Sequence, residues 1–275
     1  SFFTAIFIGL IKGTFFSSIT NPAELKEHSI NNPITAVLPF IDEDDYERYT
    51  KSLESFVLNL ESLAKSSPSS RNILITSPTA SCGKTTTSIN LAKILAKLGK
   101  RVLLMDMDLK KGNVHEQLSI KKRPSQEDFL NLASDNIEKY RVSENFYCFS
   151  KLKNINDSFS LLSTDVYVNT ILKLKEDFDY IITDSAPILS VADTGLLIDI
   201  ADVKLAVCRH AQTRINEIKQ LSAIFDQLGY EVDGIIYNCY QKPQSYYGYY
   251  SLYGNYDYQY YAEKYLNKGY DYEDK

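Results

Sequence analysis

The 275 residues predict an α/β fold: a parallel sheet with helices on both faces, followed by a mobile tyrosine-rich tail. Three observations carry that prediction. Short apolar runs alternate with helical stretches from Asn72 to Asn238. One run leads through a Gly-Lys-Thr turn into an amphipathic stretch. Two others end in aspartate, at the end of a parallel strand where ligands are held.

The apolar runs are 72–77 (NILITS), 101–106 (RVLLMD), 146–150 (FYCFS), 179–184 (DYIITD), 203–208 (VKLAVC) and 233–238 (DGIIYN). Several are apolar on both alternations, as strands buried on both faces are. Helical spacing fits 84–99, 166–177 and 214–229 between them. Upstream, the acidic cluster Asp42 to Asp45 opens a helix over 45–66, its acids suited to the positive end of the helix dipole. Tyr46, Tyr49, Leu53, Phe56, Val57, Leu60, Leu63 and Ala64 draw one stripe along it. Pro22 starts a short helix over 23–29, and Pro33 precedes a short apolar run, ITAVLPF. Residues 2–11 (FFTAIFIGLI) are about half the length that spans a bilayer as a helix. They read as the last half of a transmembrane helix, with Lys12 on the cytoplasmic side.

Composition excludes several classes. The net charge is −5, which argues against a general nucleic-acid binder. Four cysteines without a CxxC pair suggest neither a disulfide framework nor a zinc site, and three scattered histidines make no metal cluster. One feature is unusual. Of 21 tyrosines, 12 fall between Tyr246 and Tyr272, among Gly, Ser, Asn and Asp, in a stretch with no core-forming period.

The chemistry starts at residues 73–91, ILITSPTASCGKTTTSINL, a strand, a tight loop and a helix. Pro78 to Thr85 has the spacing of a phosphate-binding loop, with Pro78 in place of its first glycine, which makes the sheet P-loop NTPase-like. Backbone amides around Thr79, Ala80, Ser81, Cys82, Gly83, Lys84, Thr85 and Thr86 can ring a phosphate at the helix N-terminus. Lys84 then reaches the β- and γ-phosphates and the Thr85 hydroxyl binds Mg2+. The Cys82 side chain reads as a small loop residue. Asp106 and Asp108, at i and i+2 after VLLM, are expected to face the γ-phosphate and metal together. Asp184 closes YIIT as the lone metal-holding carboxylate of a Walker B strand.

Together these elements resemble the bacterial tyrosine kinases of capsule and exopolysaccharide export, the Wzc-like polysaccharide co-polymerases. The resemblance rests on PTASCGKT, LLMDMDLK, Asp184 to Pro187 as D-x-x-P, the tail SYYGYYSLYGNYDYQYYAEKY, and NPAELKEHSINNPITAVLP. It implies a protein-tyrosine autokinase with ATP and Mg2+. Lys84, Asp106 and Asp108 would be catalytic, with Asp106 orienting the tyrosine hydroxyl or taking its proton. Thr85, Asp106, Asp108 and Asp184 would face the metal, Asn238 the adenine, and Arg209 the nucleotide. The acceptors would be Tyr246, Tyr247, Tyr249, Tyr250, Tyr253, Tyr256, Tyr258, Tyr260, Tyr261 and Tyr265 of a neighbouring subunit. The implied setting is a homo-oligomeric ring on the cytoplasmic face of a bacterial inner membrane. Its partners would be a tyrosine phosphatase and the polysaccharide polymerase and export machinery.

The resemblance divides the chain into 1–20, the end of a transmembrane helix; 21–71, a juxtamembrane segment with an oligomerisation helix; 72–240, the kinase domain; and 241–275, the autophosphorylation tail. The family's Pro/Gly-rich segment before its Walker B region is missing, with KLKNINDSFSLL in its place, and two further departures stand out. Lys110 replaces the family's arginine, keeping charge but not bidentate geometry. In the 45–66 helix Glu54 aligns with the family's acid, but Val57 and Leu60 stand where it carries two arginines for the next subunit. Either the alignment is off or a ring contact here is more apolar. The alternatives are a non-catalytic, ATP-binding scaffold of the export complex, or a ParA/MinD-type ATPase. The second requires a further lysine where Thr79 stands.

Overall fold

The computed structural model describes residues 18–27, 32–41, 46–63, 71–132, 137–153, 155, 157–163 and 165–241. The expected transmembrane segment over 2–11 and the tyrosine tail lie outside the described residues. No helix among those described is long and apolar enough to cross a membrane.

The helices are α1 (Ala23–Glu27), α2 (Tyr46–Leu63), α3 (Lys84–Lys97), α4 (Val114–Gln117), α5 (Gln126–Leu130), α6 (Ser158–Leu162), α7 (Asp165–Asp177), α8 (Asp193–Ile198) and α9 (Ile215–Gln227). The strands are β1 (Ile34–Pro39), β2 (Arg71–Thr76), β3 (Val102–Asp106), β4 (Arg141–Ser143), β5 (Phe146–Phe149), β6 (Tyr180–Asp184), β7 (Val203–Arg209) and β8 (Gly234–Tyr240). They form one sheet in the order β1-β8-β7-β2-β6-β3-β5-β4. Every pairing is parallel except β4 with β5.

All six apolar runs became strands, because each has a face for either layer of helices. Ile73, Ile75, Val102 and Leu104 pack with α2 and α3 on one side. Leu74, Leu103 and Met105 pack with α7 and α9 on the other. β1 and β4 were not foreseen as strands. β1 is the run ITAVLP, which adds to the free edge of β8. It is locked there by α2, whose Asn59 amide donates to the Thr35 carbonyl at 2.8 Å. β4 is exposed along its length and has no apolar signature of its own.

The buried stripe of α2 is Tyr49, Leu53, Phe56, Val57 and Leu60. Val57 and Leu60 are therefore core residues of this chain. Their burial inside the chain favours the first reading, that the alignment with the family's arginines is off at these two positions. The outer face of the helix carries Glu47, Lys51, Glu54 and Leu58 instead.

The packing of α2 yields a prediction. Phe56→Ala, at a fully buried site, should lower unfolding free energy by about 3–5 kcal/mol in urea titration. A change below about 1 kcal/mol would mean that α2 is not part of the cooperative core.

Candidate functional site

The loop between β2 and α3 is held from beneath by its carbonyls. Ser77 Oγ donates to the Thr79 carbonyl at 2.6 Å, and Cys82 Sγ contacts the same oxygen at 3.3 Å. Arg209 donates to the Ser81 carbonyl at 3.0 Å, and the Asn238 amide to the Cys82 carbonyl at 3.0 Å. With carbonyls engaged outward, the amides of such a loop are available to an anion. Two residues have left-handed backbone, Ser81 at φ 64° and Gly83 at φ 92°. Gly83 has a second constraint: a Cβ there would lie 2.1 Å from Asn238 Nδ2.

Above the loop is a cavity of about 570 Å³. Ala80, Ser81, Gly83, Lys84, Thr85, Thr86 and Arg209 line one side. Asp108, Lys110, Lys111, Asn113 and Gln117 line another, and Pro187, Ser190 and Val191 complete it. Thr79 and Cys82 belong to the loop but not to the lining. Cys82 is fully buried, which agrees with its reading as a small loop residue.

Beneath the cavity lies a buried acidic pair. Asp106 and Asp184 end β3 and β6 in register with each other. Asp184 accepts from the Thr85 hydroxyl at 2.7 Å, and Ser88 Oγ stands 3.3 Å from its other oxygen. Asp106 Oδ2 accepts from the Val114 amide at 3.1 Å, while Oδ1 is buried with no partner among the described residues. Burial pushes the Asp106 carboxyl well above its usual range, and the neighbouring Asp184 adds to that. Burial likewise raises Asp184 to about 6, against the opposing pull of the Thr85 hydroxyl and Lys84. Two desolvated carboxylates side by side are a place for a cation.

The donor set fits Mg2+: hard oxygens from Thr85, Asp184 and the unpartnered Oδ1 of Asp106, with Lys84 at the cavity side. Among the described residues no three Asp, Glu, His or Cys side chains form a closed metal cage. Mg2+ does not need one, because it is commonly held by one or two carboxylates and substrate phosphates.

Three expected residues sit differently from the sequence reading. Asp106 and Asp108 do not face the cavity together. β3 ends at Asp106, so strand alternation does not carry to Asp108, which lines the cavity and caps its own turn through the Lys111 amide at 2.8 Å. Asn238 is buried under the loop rather than in the cavity wall. Arg209, by contrast, does line the cavity. Residues the sequence reading did not single out include Ser88, Lys111, Val114 and Gly112. A Cβ on Gly112 would lie 2.0 Å from Asp106 Oδ1, so only glycine lets the loop close on that carboxylate. Ser88 was within reach of the sequence, one turn after Thr85 on the same helix face.

A family model described as an AAA domain matches residues 70–234. The chain belongs to that family. The AAA domain here is similar to the tyrosine-protein kinase ptk of Acinetobacter johnsonii, with 32% identity over 181 residues, 64% of this chain and 25% of the relative. It is similar to the tyrosine-protein kinase wzc of Salmonella typhimurium, with 30% identity over 195 residues, 70% of this chain and 26% of the relative. The chain thus spans about a quarter of the length of these relatives. Among solved structures it matches the kinase domain of the Escherichia coli tyrosine kinase ETK at a TM-score of 0.71, covering 84% of this chain and 100% of that one. At 20% identity that likeness is one of fold. The resemblance to bacterial tyrosine kinases read from the motifs is borne out, and so is the α/β sheet of the AAA domain.

The bracing of the loop yields a double-mutant prediction. Gly83→Ala should cost about 1–2 kcal/mol for the left-handed backbone alone, and more for the clash with Asn238. Adding Asn238→Ala should recover only the clash. Full recovery in thermal melts would show that the backbone at position 83 is unstrained.

Proposed function

We propose that the chain is the catalytic domain of an ATP-dependent protein-tyrosine autokinase. It phosphorylates the tyrosine-rich tail of a neighbouring subunit and thereby regulates capsular or exopolysaccharide polymerisation and export. One observation carries the reading: a phosphate-loop lysine and threonine stand over a buried pair of strand-end carboxylates, in a chain that ends in 12 closely spaced tyrosines. The names of the relatives support it.

In this reading the loop amides and Lys84 hold the phosphates, with Arg209 at the loop's outer side. Thr85, Asp184 and Asp106 would hold Mg2+, which when bound neutralises charge on the transferred phosphoryl group. The tyrosine oxygen forms the new P–O bond, the γ-phosphate's bond to ADP breaks, and the phenolic proton passes to Asp106. A tyrosine hydroxyl, of ordinary pKa about 10, benefits from a carboxylate acceptor when it attacks. Asn238 acts through the loop it braces. The working state is a ring of copies at the cytoplasmic face of a bacterial inner membrane. A tyrosine phosphatase reverses the reaction, and the polymerase and export machinery receive the signal.

Intact mass after incubation with Mg-ATP tests the proposal. The chain should gain a ladder of about 80 Da steps, mapping to Tyr246 through Tyr265. Asp106→Asn should slow the ladder about 10²–10⁴-fold, and Lys84→Met should abolish it. No ladder with ATP still bound would make the chain a non-catalytic scaffold. No ladder and no ATP binding would undo the phosphate-loop reading.

A further inference from the structure

The segment after Asp108 differs in charge from the rest of the chain. From Lys110 to Arg123 there are five lysines and arginines and one acid, Glu116, in a chain of net charge −5. The exit from β5 adds Lys151 and Lys153. Two hydrogen bonds gather these residues onto one surface. Lys151 Nζ donates to the Lys110 carbonyl at 2.6 Å. The Lys153 amide donates to the Pro124 carbonyl at 2.8 Å, which sets Lys153 beside Arg123. Lys110, Lys111, Lys122 and Lys153 are exposed, and Arg123 and Lys151 are half-buried.

Several cations elsewhere on the chain are paired with carboxylates: Lys51 with Glu47, Lys139 with Asp128, Lys175 with Asp202 and Lys204 with Asp233. Among the described residues none of the six gathered cations is within ion-pair distance of a carboxylate. Lys110 and Lys111 also line the cavity. An unneutralised strip therefore begins at the site of phosphoryl transfer and runs out along the surface. Such a concentration of one sign attracts a polyanion.

Resting on the kinase reading above, we infer that this strip docks the already phosphorylated tyrosine segment of a second copy, so that early phosphates hold the tail while later ones are added. Charge selects this occupant. Tyr246 to Tyr265 holds ten tyrosines but only two acids, Asp257 and Glu263, and one lysine, Lys264. Before reaction it is nearly neutral, and each phosphate adds about −1.5 to −2 charges. The attraction thus appears only as the reaction proceeds, on a surface continuous with the cavity where it proceeds.

The test uses the full dephosphorylated chain and synthetic peptides of the 246–265 sequence, unphosphorylated or carrying four phosphotyrosines. The variant is Lys122→Glu/Arg123→Glu/Lys153→Glu, which leaves the cavity residues intact. The phosphopeptide should bind at least about tenfold tighter than the plain peptide, and the variant should lose about tenfold of that affinity. In the mass ladder the variant should add its first phosphate at the unmodified rate, then fill later sites evenly rather than running ahead to heavily phosphorylated species. Equal affinity for the two peptides, or an unchanged phosphopeptide affinity in the variant, overturns the inference. Loss of binding to phosphatidylglycerol vesicles in the variant, with phosphopeptide affinity unaltered, assigns the strip to a membrane and overturns it as well. Peptide binding requires no catalysis by the chain, so it stands or falls separately from the kinase reading.

Discussion

Two carboxylates lie side by side at the ends of β3 and β6, withdrawn from water, and the rest of the site is arranged around them. Each charged alone would be costly there, and together they repel. The chain meets this with donors brought from two directions. α3 supplies the Thr85 hydroxyl and Ser88, so the helix that follows the phosphate loop is tied to the strand that ends in Asp184. The first residue of α4 supplies the Val114 amide to Asp106, and glycine at 112 allows the turn before it to close. One oxygen of Asp106 remains unanswered, and it is on that oxygen that a divalent ion would act.

The loop itself depends on the opposite half of the sheet. Arg209 ends β7 and Asn238 lies in β8, and both donate to loop carbonyls. The hydroxyl of Thr213, just beyond β7, stands 3.6 Å from Cys82 Sγ. The acidic pair and the loop are therefore fixed by different strands, and α3 is the element common to both. Lys84 heads that helix and faces the cavity from a nearly buried position.

Much of this was legible in the sequence wherever the signal was local. Strands buried on both faces read as continuous apolar runs, and all six were found. The spacing from Ile73 through Thr85 fixed strand, loop and helix together. Asp184 was recognisable because it follows YIIT directly. Features that depend on distant partners were not legible. β1 looks like an ordinary apolar run until β8 offers it an edge, and β4 exists only through its pairing with β5. The separation of Asp106 from Asp108 follows from where β3 ends, which the run VLLMDMD does not mark. Val57 and Leu60 aligned with surface positions of the family, yet the apolar stripe that includes them is the one α2 turns to its own sheet.

The strand order has a consequence for where this protein can be divided. The family match covers 70–234, yet β8 runs from Gly234 to Tyr240, and β1 and α2 precede residue 70. A fragment cut to the matched span would keep every aspartate and the whole phosphate loop. It would lose the strand that carries Asn238 and leave the backbone of β7 open as a new sheet edge, a template for aggregation. The span that the family model covers and the span that completes the sheet are different lengths of chain, and the second is the larger.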